Sequence, residues 1–524
     1  MLRDQAAAHG DAEVVAVDDV RLTLAELARR AGAVARGLMA LGVSPGDRVA
    51  VWAPNTPGWV VTAYGAWDAG GVVSPLSTRF RGLEARELLR RVDAKVLFVD
   101  EGFLDVSYLG MLSETCGAPA AGRPYADLPG LTHVVTYGPV PQDRPGVMGW
   151  EEFLAGGAAV PPGAAEERAL ATGPDDLASI MATSGTTGTP KGVMLHHAQL
   201  LRGYWDWAEV VTLREGDRYP IIAPFSHGFG LNAGLLACVL RRATMMPVAV
   251  FAPDALMEMV ERDRVSVLAG PPTLFHRVLA ELAGGGRDVS SLRVAICGAA
   301  AVPPELVRRL RETAGVERMI NAYGLMEGTV VAMTRAGDPV EVVARTTGRP
   351  MPGVSVRIVD DDGRDLPPGE RGEILVGGYG VMRGYWRDPE RTAEAIDPDG
   401  WLHTGDVGTL DEHGNLAIVD RKKEMFIVGG FNVYPAEIEA LLLRCPGVGQ
   451  AAVVGVPDER SGEAGAAFVV PRPGHGLEPS AVIAWARENM SNYKVPRRVE
   501  VVEALPVNVN GKVDKLALRA RATA

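Results

Sequence analysis

At 524 residues the chain is too long for one ordinary hydrophobic core, so two or more domains are expected. An apolar share of 47% and a charged share of 23% suit a globular enzyme, and a net charge of −12 argues against a nucleic-acid binder, which needs a basic face. Four cysteines, Cys116, Cys238, Cys297 and Cys445, make no CxxC pair and no zinc spacing, which fits a reduced, cytoplasmic setting.

Met1 to Asp19 carries acidic residues early and no sustained apolar core, so it does not read as a signal peptide. From Asp47 onward, short β-rich runs alternate with helical patterns, beginning with a strand at Arg48–Trp52 and a helix at Val60–Ala69. Thr115 to Pro174, rich in Gly, Pro and Ala, reads as irregular surface. A strand-like run, Leu177–Met181, then leads into a small-residue segment, and a helical run, His196–Val211, follows it. Leu231 to Phe251 is the most apolar stretch, but Arg241 and Arg242 interrupt it. It reads as a buried helix and a strand, not a membrane span.

Strands at Ile221–Ala223, Val265–Ala269 and Arg293–Cys297 alternate with helices at Pro253–Asp263, Pro272–Leu282 and Pro303–Thr313. Proline at or near the first turn marks each helix start. The alternation predicts doubly wound α/β sheets. Strand-like runs Val354–Val359 and Gly372–Val376 flank the turn Asp360-Asp361-Asp362-Gly363 and suggest a small β-rich subdomain over about 350–420. Beyond it, helix patterns at Pro435–Arg444 and Ser480–Met490 bracket strand patterns at Gln450–Val456 and Gly465–Val470, a small α+β domain. The expected division is therefore 1–420 and 421–524.

The segment Ala182-Thr183-Ser184-Gly185-Thr186-Thr187-Gly188-Thr189-Pro190-Lys191-Gly192 carries the most chemical information. Small residues let backbone N–H groups approach an anion, hydroxyls donate further hydrogen bonds, and Lys191 adds a point charge. Phosphate binding is the chemistry suggested. The Walker spacing cannot be laid over Gly185 to Lys191, and a flexible linker would rarely end in Pro-Lys-Gly between a strand and a helix.

These residues resemble the phosphate loop of the adenylate-forming superfamily, which holds acyl-CoA synthetases, luciferases and peptide-synthetase adenylation domains. Further matching segments recur in order along nearly the whole chain. The resemblance implies a large N-terminal domain of doubly wound sheets, a small β-barrel-like subdomain and a mobile C-terminal domain. Thr183, Ser184, Gly185, Thr186, Thr187, Gly188 and Lys191 would then cradle the phosphates of ATP. Gly298, Ala299 and Ala300, with Asn321, Ala322, Tyr323 and Gly324, resemble the adenine pocket, Tyr323 stacking on the base. Glu327 would hold Mg²⁺, and Asp406, assisted by Arg421, would take the ribose hydroxyls. Lys512 resembles the lysine that contacts the substrate carboxylate and α-phosphate during adenylation. Lys423 matches the hinge about which the small domain rotates. Rotation would bring Gly429, Gly430 and Phe431 to the pantetheine of coenzyme A. His227, in Pro224-Phe225-Ser226-His227-Gly228-Phe229-Gly230, resembles the residue flanking the acyl pocket, as a gate or carboxylate neighbour; a structural role is the alternative.

One position departs from the family. Its pattern Tyr-Gly-x-Thr-Glu reads here Tyr323-Gly324-Leu325-Met326-Glu327. Threonine donates to the α-phosphate, whereas a thioether cannot. Either adenylation is slowed, or the enzyme accepts an acyl-adenylate made elsewhere and performs only the thioester step.

The stretches Trp52–Thr56, Ala269–Thr273 and Gly429–Glu437 resemble actinobacterial ligases for ring-containing propionates from sterol breakdown. This favours a bulky alicyclic acid, with a medium- or long-chain fatty acid as the alternative. Room for rings is expected at Gly228, Gly230, Gly234 and Ala299 to Ala301. The expected partners are the acid or its adenylate and CoA, with no nucleic acid and no membrane span; a homodimer is compatible. A free carrier protein as thiol acceptor, a luciferase-like oxygenase and an AMP-binding sensor without turnover are the rival functions.

Overall fold

The computed structural model describes residues 1–117, 119, 123–138, 140, 146–183, 191–270, 272–285, 287–298, 302, 304–421, 426–472, 474–506 and 513–523. The largest sheet runs in the order Val147–Gly149, His133–Thr136, Ala94–Val99, Arg48–Trp52, Val72–Pro75, Leu177–Thr183, Lys191–His196. Its first six strands are parallel and the last is antiparallel. A second sheet, Val267–Gly270, Val294–Gly298, Arg318–Leu325, Thr329–Met333 and Arg349–Pro350, is parallel over its first three strands. A third joins Arg218–Ile221 and Thr244–Pro247 to Glu13–Val17 and Val20–Thr23. Parallel strands linked by helices give the expected mixed α/β architecture.

Val354–Val359, Gly372–Gly378, Leu402–Leu410 and Leu416–Arg421 form an antiparallel sheet of half-barrel type. A last sheet is built from Phe431–Val433, Phe426–Val428, Gly462–Pro471 and Val448–Asp458, with Arg498–Val501 also paired to Gly462–Pro471. It packs on helices Pro435–Leu442 and Pro479–Asn489 around a core of its own, including Phe426, Ile438, Leu442 and Val482.

Three local expectations are corrected. The stretch 115–174 is not simply irregular surface. It holds strands His133–Thr136 and Val147–Gly149 and helices Trp150–Gly156 and Pro162–Ala171. Phe153 is buried against helix Leu24–Ala40, where a Cβ on Gly37 would meet its ring at 2.5 Å. Here the small residues serve close packing. Second, Lys191–His196 is an edge strand inserted before helix His197–Val210, so the small-residue segment joins two antiparallel partners. Third, the strand expected at 221–223 ends at Ile221, because the Asn55 carboxamide takes over the next backbone groups. It donates to the carbonyls of Ile221 and Ala223 (2.8 and 2.9 Å) and accepts from the Phe225 N–H (2.8 Å).

The apolar run after Gly228 is a π-helix, Phe229–Leu236, continued by an α-helix, Ala237–Arg241, and strand Thr244–Pro247. Among the described residues, no helix is long and apolar enough to cross a membrane. Cys116, Cys238, Cys297 and Cys445 are buried free thiols, and burial pushes each of them up from its ordinary pKa.

Candidate active site

Thr183 and Lys191 are ladder partners at the open end of the largest sheet, so the segment between them starts and finishes at one point. Ser184 to Pro190 lie outside the described residues, which leaves Ser184, Gly185, Thr186, Thr187 and Gly188 unplaced. The two roots both meet a third element. Thr183 Oγ1 donates to Glu327 Oε1 at 3.5 Å, a long contact, and the Tyr385 hydroxyl donates to the same oxygen at 3.0 Å. Lys191 Nζ stands 4.4 Å over the Tyr385 ring. Burial, followed by the charge of Glu327, drives the Tyr385 hydroxyl far above its ordinary pKa, so it remains a donor.

Glu327 sits at the tip of a hairpin. Strands Arg318–Leu325 and Thr329–Met333 pair with Leu325 opposite Thr329, leaving Met326, Glu327 and Gly328 as the turn. Thr329 takes the left-handed conformation (φ 54°) that such turns normally give to glycine, a costly arrangement for a β-branched residue. Gly324 is required by contact: a Cβ there would sit 2.4 Å from the Thr329 carbonyl oxygen.

The same hairpin carries Tyr323 on its first strand, opposite Ala332. The Tyr323 hydroxyl donates to Asp406 Oδ2 at 2.5 Å, and Asp406 is only 3% exposed. Thr404 Oγ1 accepts from the Asp406 N–H at 3.1 Å, and the Asp406 backbone pairs with Arg421 across the half-barrel sheet. One two-stranded element therefore holds the Glu327 cluster and the Asp406 cluster at a fixed spacing.

Asn321 is turned to support this element. Its carboxamide donates to the carbonyls of Val343 (3.2 Å) and Thr346 (2.9 Å), and its backbone N–H donates to Thr334 Oγ1 (2.8 Å). Gly298 pairs with Ala322, and a Cβ there would stand 3.0 Å from the Ala322 carbonyl. Ala299, Ala300 and Ala301 lie outside the described residues.

His227 reaches solvent-accessible space while protein surrounds it, as in a cleft, and burial lowers its pKa from the ordinary value. Its Nδ1 accepts the Phe229 N–H at 3.2 Å, so the neutral ring carries its proton on Nε2. Met326 faces this segment: a Cβ on Gly228 would begin 3.0 Å from its Sδ. The room expected at Gly230 and Gly234 is filled. A Cβ on Gly230 would lie 2.3 Å from the carbonyl oxygens of Ala223 and Pro224, and one on Gly234 would lie 2.8 Å from Ile221. Both glycines serve backbone packing of the π-helix. Inside that helix Asn232 is 1% exposed and bonds the Tyr204 hydroxyl, and its Oδ1 has no partner among the described residues. Its Nδ2 would stand 3.6 Å from a Cβ on Gly228, which brings it beside Met326.

Gly429 and Gly430 form a turn at φ 56° and 86°, between strands Phe426–Val428 and Phe431–Val433. Tyr434, just beyond, is close enough to Tyr385 to raise its pKa. The turn thus belongs to an element that borders the Glu327 cluster. Lys423 and Lys512 fall outside the described residues, as does the side chain of Arg421.

Sequence reasoning missed Tyr385, Asn232 and Asn55. A Tyr-Trp pair after Gly384 is too common a signal to single out Tyr385, and nothing local marks the two asparagines. Among the described residues, no three His, Cys, Asp or Glu side chains converge to hold a metal with protein ligands alone.

The profile of the AMP-binding enzyme family matches residues 2–386, and that of the AMP-binding enzyme C-terminal domain matches residues 437–512. The chain is 46% identical over 510 residues to 3-[(3aS,4S,7aS)-7a-methyl-1,5-dioxo-octahydro-1H-inden-4-yl]propanoyl:CoA ligase of Mycobacterium tuberculosis, covering 97% of this chain and 96% of that one. Among solved structures, the amide bond synthetase McbA of Marinactinospora thermotolerans superposes with a TM-score of 0.83 at 30% identity, over 100% of both chains. ATP-bound MatB of Rhodopseudomonas palustris, also 30% identical, superposes at 0.69 over 99% of this chain and 98% of that one.

Proposed function

The chain belongs to the AMP-binding enzyme family, and on that premise we propose that it is an AMP-forming acid–CoA ligase for a bulky alicyclic propanoate. The observation that carries this reading is the 46% identity to a CoA ligase for a dioxo-octahydroindenyl propanoate, over 97% of the chain. ATP and CoA are the cosubstrates that the family implies.

In the first step a carboxylate oxygen attacks the α-phosphorus of ATP, and pyrophosphate leaves with the electron pair of the broken P–O bond. Thr183, Ser184 to Gly188 and Lys191 bind the phosphates, Lys512 neutralises the developing charge, and Asp406 and Arg421 hold the ribose. Adenine lies against Tyr323 and the backbone of Gly298 to Ala300, Ala322 and Gly324. A lone carboxylate completed by phosphate oxygens and water is a donor set that suits Mg²⁺, and Glu327 supplies it. The ion would offset the charge on the triphosphate. In the second step the CoA sulfur attacks the acyl carbon, the bond to the phosphate oxygen breaks, AMP leaves, and the thiol proton passes to solvent. Rotation about Lys423 separates the two steps and presents Gly429, Gly430 and Phe431 to pantetheine. His227, neutral with its proton on Nε2, borders the acid.

The test mixes purified protein, ATP, Mg²⁺, CoA and the dioxo-octahydroindenyl propanoic acid, and follows AMP and CoA thioester by mass spectrometry. Thioester formation is expected. AMP binding without turnover would favour a sensor, and transfer only to a free carrier protein would replace CoA as acceptor.

Met326 favours a second reading, in which adenylation is impaired and a supplied acyl-adenylate is used. Met326→Thr is expected to raise acid-dependent ATP–pyrophosphate exchange about tenfold, the worth of one hydrogen bond to a charged group. The void left beside Gly228 should at the same time weaken discrimination between acids of different ring size. An exchange rate unchanged by the substitution would show that the missing hydroxyl is not limiting.

We propose that Asn232, buried beside Met326, is a polar group that meets a ring oxygen of the acid. Turning its carboxamide by 180° lets the Tyr204 hydroxyl donate to Oδ1 and frees the NH₂ for a ketone. Asn232→Leu is expected to lower kcat/KM for the keto acid by about 10- to 100-fold, and for a ring-matched acid lacking the ketones by less than threefold. Equal losses on both acids would assign Asn232 to packing alone.

A further inference from the structure

Lys494 is buried between two carboxylates from opposite ends of the chain. Its Nζ lies 2.7 Å from Glu84 Oε1 and 2.5 Å from Glu437 Oε1, with the three side chains 3–5% exposed. Ser491 Oγ donates to both Glu84 oxygens at 3.0 and 3.1 Å, and the Arg81 N–H donates to Glu84 Oε2 at 3.0 Å. Glu84 lies in helix Gly82–Val92 of the N-terminal part, whereas Glu437, Ser491 and Lys494 belong to the C-terminal domain. Nothing in the adenylation chemistry uses these groups.

The contact continues beside them. The Arg79 guanidinium stands 4.3 Å over the Phe431 ring and donates to Asn492 Oδ1 at 3.3 Å, and Phe431 stacks on Tyr493 at 4.6 Å. One short stretch, Arg79 to Glu84, therefore grips both the ion cluster and the residue next to the Gly429-Gly430 turn. Separating the two parts would return Glu84 to water and take from Lys494 one of its two carboxylates, so the complete cluster exists only while the parts are seated this way. Such a cluster marks one seating of the two parts. The ATP-bound relative superposes less well than McbA at the same identity, a difference between those two structures and this one.

We infer that Glu84 is a positioning residue for the thioester half-reaction: through Lys494 and Ser491 it seats the C-terminal domain so that the Gly429-Gly430-Phe431 turn lies where the CoA thiol must attack. This inference rests on the two-step reading above. Adenylation, which on that reading uses a different seating, does not need Glu84.

The experiment measures the two half-reactions separately in the full-length protein. Acid-dependent pyrophosphate release reports the first, and CoA thioester made from supplied synthetic acyl-adenylate reports the second. For Glu84→Gln the first should stay within about twofold of wild type and the second should fall about 10- to 100-fold, through kcat more than through KM for CoA. Ser491→Ala keeps the ion pair and removes the shared hydroxyl bond to the two Glu84 oxygens, so it should show the same asymmetry at about three- to tenfold and serves if Glu84→Gln folds poorly. Equal losses in both half-reactions alongside a lowered Tm would reduce the cluster to a structural role and overturn the inference. Unchanged thioester formation in both variants would also overturn it. A wild-type protein that makes no thioester from any acyl-adenylate would instead sink the ligase reading itself.

Discussion

Replacing Asp406 by alanine should lower acid-dependent ATP–pyrophosphate exchange by about 10²- to 10³-fold. The carboxylate is 3% exposed and accepts the Tyr323 hydroxyl at 2.5 Å, so the substitution removes a charge-assisted bond from a largely buried group. Each such bond is worth about 1.5–3 kcal/mol, and the ribose hydroxyls would add at least one more. Tyr323→Phe deletes only the internal bond and should cost about tenfold, mostly by freeing the aspartate to reorient. Stopped-flow or isotope-exchange assays on both variants, with circular dichroism as a control for folding, separate the contributions. An Asp406→Ala protein that folds and exchanges within threefold of wild type would remove Asp406 from the nucleotide site.

Gly324→Ala is expected to be nearly as damaging although it removes no functional group. The new methyl carbon would lie 2.4 Å from the Thr329 carbonyl oxygen, far inside van der Waals contact, and backbone cannot yield as a side-chain tip can. The two strands must part at the point where Leu325 faces Thr329, a turn already strained at Thr329. Overpacking of this kind costs about 1–3 kcal/mol of stability. The larger effect is geometric. Gly324 lies between Tyr323 in the strand and Glu327 at the tip of the turn, so both the Asp406 contact and the Tyr385 contact shift together. A loss of about 100-fold in exchange, with a Tm lowered by a few degrees, is the expected outcome. Exchange retained with the same Tm loss would show that the hairpin does not set the spacing.

The fold was legible in the sequence where local chemistry speaks. Proline marks the starts of helices Pro253–Arg262 and Pro272–Ala283, and the runs Val354–Val359 and Gly372–Gly378 are strands as their β-branched patterns predict. The edge strand Lys191–His196 was hidden because its alternating pattern merges with the helix that follows. The helices of 150–171 were hidden because small residues signal both loops and tight packing, and only the distant Phe153–Gly37 contact decides between them. In the site, single residues such as Glu327 and Asp406 stood out through their motifs. Their pairings did not. Tyr385 lies 58 positions from Glu327, and Tyr323 lies 83 from Asp406, separations that periodicity does not span. The carboxylate–lysine cluster is more remote still, with 410 positions between Glu84 and Lys494. Such pairings arise only when sheets stack, so they become visible only in three dimensions.

The burial of every cysteine bears on how this protein can be observed in solution. With all four sulfhydryls enclosed and held in the unreactive protonated form, maleimide reagents should find almost nothing to modify in the native chain. A cysteine introduced at an exposed site on each side of the Arg79–Lys494 contact would then accept a fluorophore pair against a silent background. Energy transfer between the dyes would follow the separation of the two halves through a single turnover, without first stripping any natural sulfur from the chain.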